Sequence, residues 1–155
     1  MTEFTHLDDD GRVRMVEVGE KDQTKREAVA EAVVVMSQAT TEALFGGTLP
    51  KGDALASVRL AGIMAAKRTP DLIPLCHPIA ITGVDVGVER TEAGARILAT
   101  VRTTGRTGVE MEAMTAASVA ALTLYDMVKG VERGVEVSAV RLLRKDGGKS
   151  GRWER

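Results

Sequence analysis

The stretch Ile79-Ala80-Ile81-Thr82-Gly83-Val84-Asp85-Val86-Gly87-Val88-Glu89, the turn Arg90-Thr91-Glu92-Ala93-Gly94 and the stretch Ala95-Arg96-Ile97-Leu98-Ala99-Thr100-Val101-Arg102-Thr103-Thr104 decide the fold class. Both arms alternate, which is the period of a strand with one buried face. The turn is short and holds a glycine, so residues 79–89 and 95–104 are expected to pair as an antiparallel hairpin. Gly105-Arg106-Thr107-Gly108 breaks the second strand. Residues 109–128, rich in Ala, Met, Leu and Glu, then form the strongest helix of the chain, and Gly130 and Gly134 stop it.

Working outward, residues 135–143 alternate again as a last strand, and Asp146 to Arg155 is a Gly/Lys/Arg tail. Upstream, Pro74 and Pro78 make residues 71–78 a stiff, extended loop. A helix is expected over residues 54–68, with Asp53 as N-cap and Thr69-Pro70 ending it. A shorter one runs from about Thr40 to Phe45, stopped by Gly46-Gly47. Residues 24–38 read as a helix, with Thr24 as N-cap, Glu27 three residues on, and an apolar stripe of Val29, Val33 and Met36. Residues 12–18 read as a short strand. The order β-α-(α)-α-β-β-α-β implies an α+β protein, a mainly antiparallel sheet with helices packed on one face. The expected organisation is a single domain, 1–155, with an N-terminal arm (1–11) and a basic, flexible C-terminal tail (146–155).

Composition narrows the function. Hydrophobic residues at 44% exclude a wholly disordered chain, and no run approaches the roughly 18 apolar residues of a membrane span. The first ten residues carry four acids and no Lys or Arg, so no secretory signal is read there. One cysteine allows no intrachain disulfide, which fits a reducing, cytoplasmic compartment. One Cys and two His cannot build a structural zinc site, so neither metal nor cofactor is expected. A net charge of −1 and 3% aromatics speak against nucleic acid. The basic tail, net +4 over residues 141–155, serves either solubility or an anionic ligand.

The residues that can carry chemistry lie in four short motifs. Glu110 and Glu112 open the long helix, where acids either serve the helix dipole or face a ligand. Asp126 stands in the last turn, against the dipole, with Lys129 three residues on. They form either a plain ion pair or a proton-exchanging couple whose lysine pKa is lowered. Fourteen residues separate Glu112 from Asp126, about 21 Å along one helix and within about 40° of the same face. A compact site could use both only if two copies of the helix packed antiparallel. Ala113, Ala117 and Ala121 offer a smooth ridge for that, or for the chain's own sheet. Cys76 and His77 are adjacent in an extended segment and point apart, so His77 is read as a substrate contact and Cys76 not as a nucleophile. Gly147-Gly148-Lys149-Ser150 lacks the glycine of a nucleotide-hydrolase loop at Leu143 but could close on anionic oxygens.

Leu75-Cys76-His77-Pro78, Thr107-Gly108-Val109-Glu110-Met111-Glu112-Ala113, Tyr125-Asp126-Met127-Val128-Lys129 and Gly147-Gly148-Lys149-Ser150-Gly151, in this order, resemble the molybdenum cofactor biosynthesis protein C family, the cyclic pyranopterin monophosphate synthases. The resemblance runs from Thr5-His6 to Gly151; Glu17 stands where the family has Asp. It implies a ferredoxin-like protomer in a homohexamer, a trimer of dimers. It implies a lyase acting on 3′,8-cyclised dihydro-GTP and releasing cyclic pyranopterin monophosphate and pyrophosphate. By the same resemblance Asp126 and Lys129 are acid–base residues, with Lys51 a second acid. Leu75, Cys76, His77, Met111 and Glu112 bind substrate. Arg26, Lys51, Lys67, Lys145 and Lys149 are candidates to hold the triphosphate. The rival reading is a non-catalytic oligomeric module that binds a nucleotide and signals.

Overall fold

A computed structural model describes residues 5–155. In chain order the elements are β1 (Thr24–Val35), α1 (Gln38–Gly46), α2 (Ala54–Lys67), α3 (Thr69–Leu72), β2 (Ile81–Thr91), β3 (Gly94–Gly105), α4 (Glu110–Val128), β4 (Glu136–Asp146) and β5 (Trp153–Glu154). The strands form one sheet in the order β2-β3-β1-β4-β5, each neighbouring pair antiparallel. The path β1-α2-β2-β3-α4-β4, with sheet order 2-3-1-4, is the ferredoxin-like arrangement. Helices α2 and α4 pack on each other and on one face of the sheet, α4 over β1, β3 and β4, α2 over β2.

The hairpin, the long helix and the helix capped by Asp53 lie where the sequence puts them; the Asp53 side chain accepts from Ala56 N at 3.0 Å. Residues 24–38 do not form a helix. Residues 24–35 form β1, a strand with long neighbours on both sides, and Gln38 opens α1. Ala28, Ala30, Ala32 and Val34 are fully buried under the helices, a period of two that the stripe at Val29, Val33 and Met36 masks. Alanine is a poor strand former and a good helix former, so propensity pointed the wrong way until tertiary packing overrode it. Thr24 caps nothing; its Oγ1 is buried without a partner.

Small residues on β1 are what α4 needs. Ala113, Ala116, Ala117, Ala120 and Ala121 are all fully buried in the same core. Two facing rows without bulk bring helix and sheet close together. The alanine ridge therefore serves the chain's own sheet. Gly62 does the same for α2, since a Cβ there would stand 2.9 Å from Val86 Cγ2 and 3.3 Å from the Ala116 carbonyl oxygen.

The opposite face of the sheet carries charge. Glu31 is 6% exposed and accepts from Arg96 Nε at 2.5 Å and Arg141 Nε at 2.6 Å. Burial raises its pKa, but the two guanidiniums outweigh that and hold it below the usual carboxylate value. Glu27, two outward positions back along β1, pairs with Arg102 at 2.8 Å and with Arg144.

Three further segments depart from the sequence reading. Residues 12–18 are not a strand: only Val13 bridges, to Leu7, across a turn in which Asp8 Oδ1 accepts from Asp10 N and Arg12 N. Thr69-Pro70 ends α2 but opens α3, because a proline in the first turn lacks only an N–H the helix would not use. Beyond β4, Gly147 and Gly148 turn the chain back, and Trp153–Glu154 pairs with β4. Of the acidic N-terminal arm, Glu3 lies outside the described residues.

Candidate active site

The N-terminal end of α4 opens onto a cavity of about 370 Å³. Leu75, Cys76 and His77 line one side, carried by the loop between α3 and β2, and Met111 and Glu112 come from the first turn of α4. The five residues assigned to substrate binding are thus brought together. Glu112 is only 2% exposed, and its Oε1 has no hydrogen-bond partner. Burial, with the nearby Glu110 charge adding to it, pushes its carboxyl up to about 7. Burial also pushes the Cys76 thiol up, and the Glu112 charge adds to that. A thiol so placed is a poor nucleophile. His77 Nε2 lies 2.7 Å from the Val16 carbonyl oxygen.

The sequence reading missed the far wall of this cavity. Thr5, His6, Val16, Val18 and Lys21 line it from the segment before β1, with Thr107 and Gly108 at the entry to α4. Residues 5–21 contain almost no regular structure, and the alternation over residues 12–18 points to a strand rather than to a cavity wall. The signal present was Lys21 itself, a cation in a loop.

The other end of α4 carries a second cluster. Asp126 Oδ1 accepts from Lys129 Nζ at 2.7 Å, and Asp126 Oδ2 accepts from Lys51 Nζ at 2.9 Å. Lys51 Nζ also donates to the Asp126 carbonyl oxygen at 2.8 Å, filling an end-of-helix acceptor. The hydrogen bond from Lys129, then that from Lys51, holds the Asp126 carboxyl down to about 2. Asp126 in turn raises the Lys129 pKa. That is the opposite of the lowered lysine the proton-exchange reading called for: the group is exposed, and its carboxylate partner favours the charged form.

The remaining bases are dispersed. Arg26 donates from Nε to the Gly105 carbonyl at 3.1 Å and from Nη2 to the Arg106 carbonyl at 3.2 Å, which places it at the α4 N-terminal end of the sheet. Lys145 donates to Ser150 Oγ within the turn that follows β4. Gly148 packs so close to the Arg26 guanidinium that a Cβ would collide with it. Lys149 is exposed in that turn, and Lys67 lies at the end of α2, lining a separate depression along β2. Within one chain the two clusters on α4 remain about 21 Å apart along the helix. Among the described residues no group of three or more His, Cys, Asp or Glu is placed to hold a metal ion.

Fold and site together define a small α+β protein with a mixed polar and apolar cavity at one end of a helix and a lysine-bridged carboxylate at the other. The MoaC family profile matches residues 15–148. The chain is 58% identical over 153 residues to the cyclic pyranopterin monophosphate synthase of Roseiflexus castenholzii, covering 97% of both chains. It is 56% identical to the protein of that name from Pelotomaculum thermopropionicum, covering 100% of this chain and 92% of the other. It is 54% identical to that from Brucella ovis, covering 97% and 92%. The chain belongs to the MoaC family.

Proposed function

We propose that this protein is a cyclic pyranopterin monophosphate synthase of molybdenum cofactor biosynthesis, a lyase acting on 3′,8-cyclised dihydro-GTP. The observation that carries the reading is Asp126 held between Lys51 and Lys129, at the far end of the helix that bears Glu112. The reaction opens the five-membered ring of the guanine-derived base, builds the pyranopterin and closes a cyclic phosphate. In the last step a substrate hydroxyl oxygen bonds to the α-phosphorus while the bond to pyrophosphate breaks. These steps need protons taken from oxygen and returned to a leaving atom, which positioned amines and a carboxylate can do. Asp126 and Lys129 exchange those protons, with Lys51 a second acid. Arg26, Lys67, Lys145 and Lys149 hold the phosphates, and Leu75, Cys76, His77, Met111 and Glu112 hold the base.

The working unit is a homo-oligomer, a trimer of dimers of single-domain protomers in the cytoplasm, with each site shared at a dimer interface. In support, α4 and α2 leave Met111, Leu122, Leu60 and Met64 exposed on their outward faces. A second copy laid antiparallel along α4 would cover apolar surface and bring the Glu112 end of one chain to the Asp126 end of the other. The purified protein, given the cyclised nucleotide, should release pyrophosphate and cyclic pyranopterin monophosphate in equal amounts. Tight binding without turnover would instead make it a nucleotide-binding module.

A further inference from the structure

Glu132 belongs to neither cluster, yet its carboxylate is engaged from across the chain. Ser37 N donates to its Oε2 at 3.0 Å and Oε1 at 3.2 Å, and Ser37 Oγ lies 2.7 Å from Oε2. Hydrogen bonds from Thr40, then from Ser37, hold the carboxyl below its ordinary range. Ser37 is the N-cap of α1, so Glu132 fastens the start of that helix to the turn that follows α4. Between this anchor and Lys51 the chain has little freedom. Leu44 and Leu49 are buried, Gly47 closes α1 in the left-handed region, and Thr48 N donates to the Ala43 carbonyl at 3.0 Å. At its other end the same segment meets α4 again through Lys51 on Asp126. Residues 37–51 are therefore a rigid brace bolted to the end of α4 at both of its ends. The turn behind it is also fixed, with Glu132 N donating to the Val128 carbonyl at 3.0 Å and Tyr125 OH to the Arg133 carbonyl at 3.0 Å.

We infer that Glu132 is a positioning residue: by anchoring Ser37 it sets where Lys51 stands, and so the separation of the two ammonium groups across Asp126. A rigid brace transmits a shift at one bolt to the other, and displacement of a reacting group by about 1 Å can cost on the order of 100-fold in rate. A residue that merely capped α1 would affect stability and leave Lys51 in place.

The effect on turnover rests on the synthase reading; the effect on Lys51 does not. The test uses Glu132→Ala and Glu132→Gln in the full-length protein. For each, kcat and KM on the cyclised nucleotide are measured, and a crystal structure is solved without substrate. Glu132→Ala should lower kcat by about 10- to 100-fold with KM changed by less than about threefold, the pattern of a misplaced reacting group. In its crystal structure Lys51 Nζ should have left Asp126 while Lys129 remains. Glu132→Gln keeps a carbonyl oxygen for Ser37 N and should recover most of the loss. Native kcat in Glu132→Ala, or Lys51 unmoved on Asp126, would overturn the inference. Should Glu132→Ala fail to fold, Glu132→Asp, whose shorter side chain withdraws the carboxylate from Ser37 N, carries the same two readouts. If the native protein itself shows no turnover, the synthase reading fails, and the position of Lys51 still decides the role of Glu132.

Discussion

The carboxyl groups of Glu112 and Asp126 ride on one helix and are driven in opposite directions, Glu112 up to about 7 by burial and Asp126 down to about 2 by Lys129 and Lys51. At neutral pH Glu112 is divided between acid and anion and can give or take a hydrogen bond at a ligand. Asp126 is wholly ionised and favours the protonated form of Lys129 beside it. In the resting state the acid of that cluster is therefore an ammonium group. It becomes a base only after giving its proton away.

Glu112 makes the folded chain sensitive to pH near neutrality. Its carboxyl titrates near 4.5 in ordinary surroundings and near 7 in the fold. Between those values the folded state binds the extra proton, so stability falls as pH rises through the window. The loss should be complete by about pH 8 and amount to about 3 kcal/mol. Glu112→Gln cannot ionise, and its denaturant midpoint should be much flatter from pH 5 to pH 8. An unchanged slope in that variant would place the titration elsewhere.

Asp126→Asn and Lys129→Ala should each lower turnover by about 10²- to 10⁴-fold, the usual worth of a positioned proton-transfer group. Both side chains are exposed, so far-UV circular dichroism should not change. Asp126→Asn should also lose a pH dependence of stability. The lowered carboxyl pKa contributes stability that is present above about 4 and vanishes as pH falls through about 2. Near-native turnover in both variants would remove them from the chemistry.

Glu112→Ala and Asp126→Asn should be inactive separately and partly active after mixing and reassembly, since some interfaces then hold one intact site. Mass spectrometry of labelled chains shows whether subunits exchange. Exchange with no recovered activity would place both residues in the service of a single chain.

Cys76→Ser should keep most of its activity, because burial and the Glu112 charge both disfavour the thiolate. Complete loss accompanied by a trapped thiol adduct would contradict this.

Where one physical signal dominated, the sequence could be read directly. The hairpin over residues 81–105 alternates cleanly, and α4 is long and rich in helix formers. β1 was illegible because its buried face is built of alanine, which carries little hydrophobic contrast and favours the wrong element. The site divided in the same way. Cys76, His77 and Glu112 stand in short, recognisable strings. Val16, Val18 and Lys21 reach the cavity from a segment whose path is set by contacts such as Val16 to His77 and Lys21 to Arg106, and no local pattern encodes those. Lys51 finds Asp126 across 75 positions of sequence, a pairing that only the three-dimensional path reveals.

The place of β1 also governs the order in which the chain can be completed. One of its neighbours, β3, ends at Gly105, and the other, β4, is not finished until Asp146. While the protein is being synthesised, residues 24–35 must wait for nearly the whole chain to emerge before their second edge is paired. During that interval an Ala/Val-rich strand shows an open row of backbone donors and acceptors, the kind of edge that recruits other chains. With both pairings of β1 this far apart in sequence, the protein should fold slowly for its size and depend on chaperones at the ribosome more than a helical bundle of equal length would.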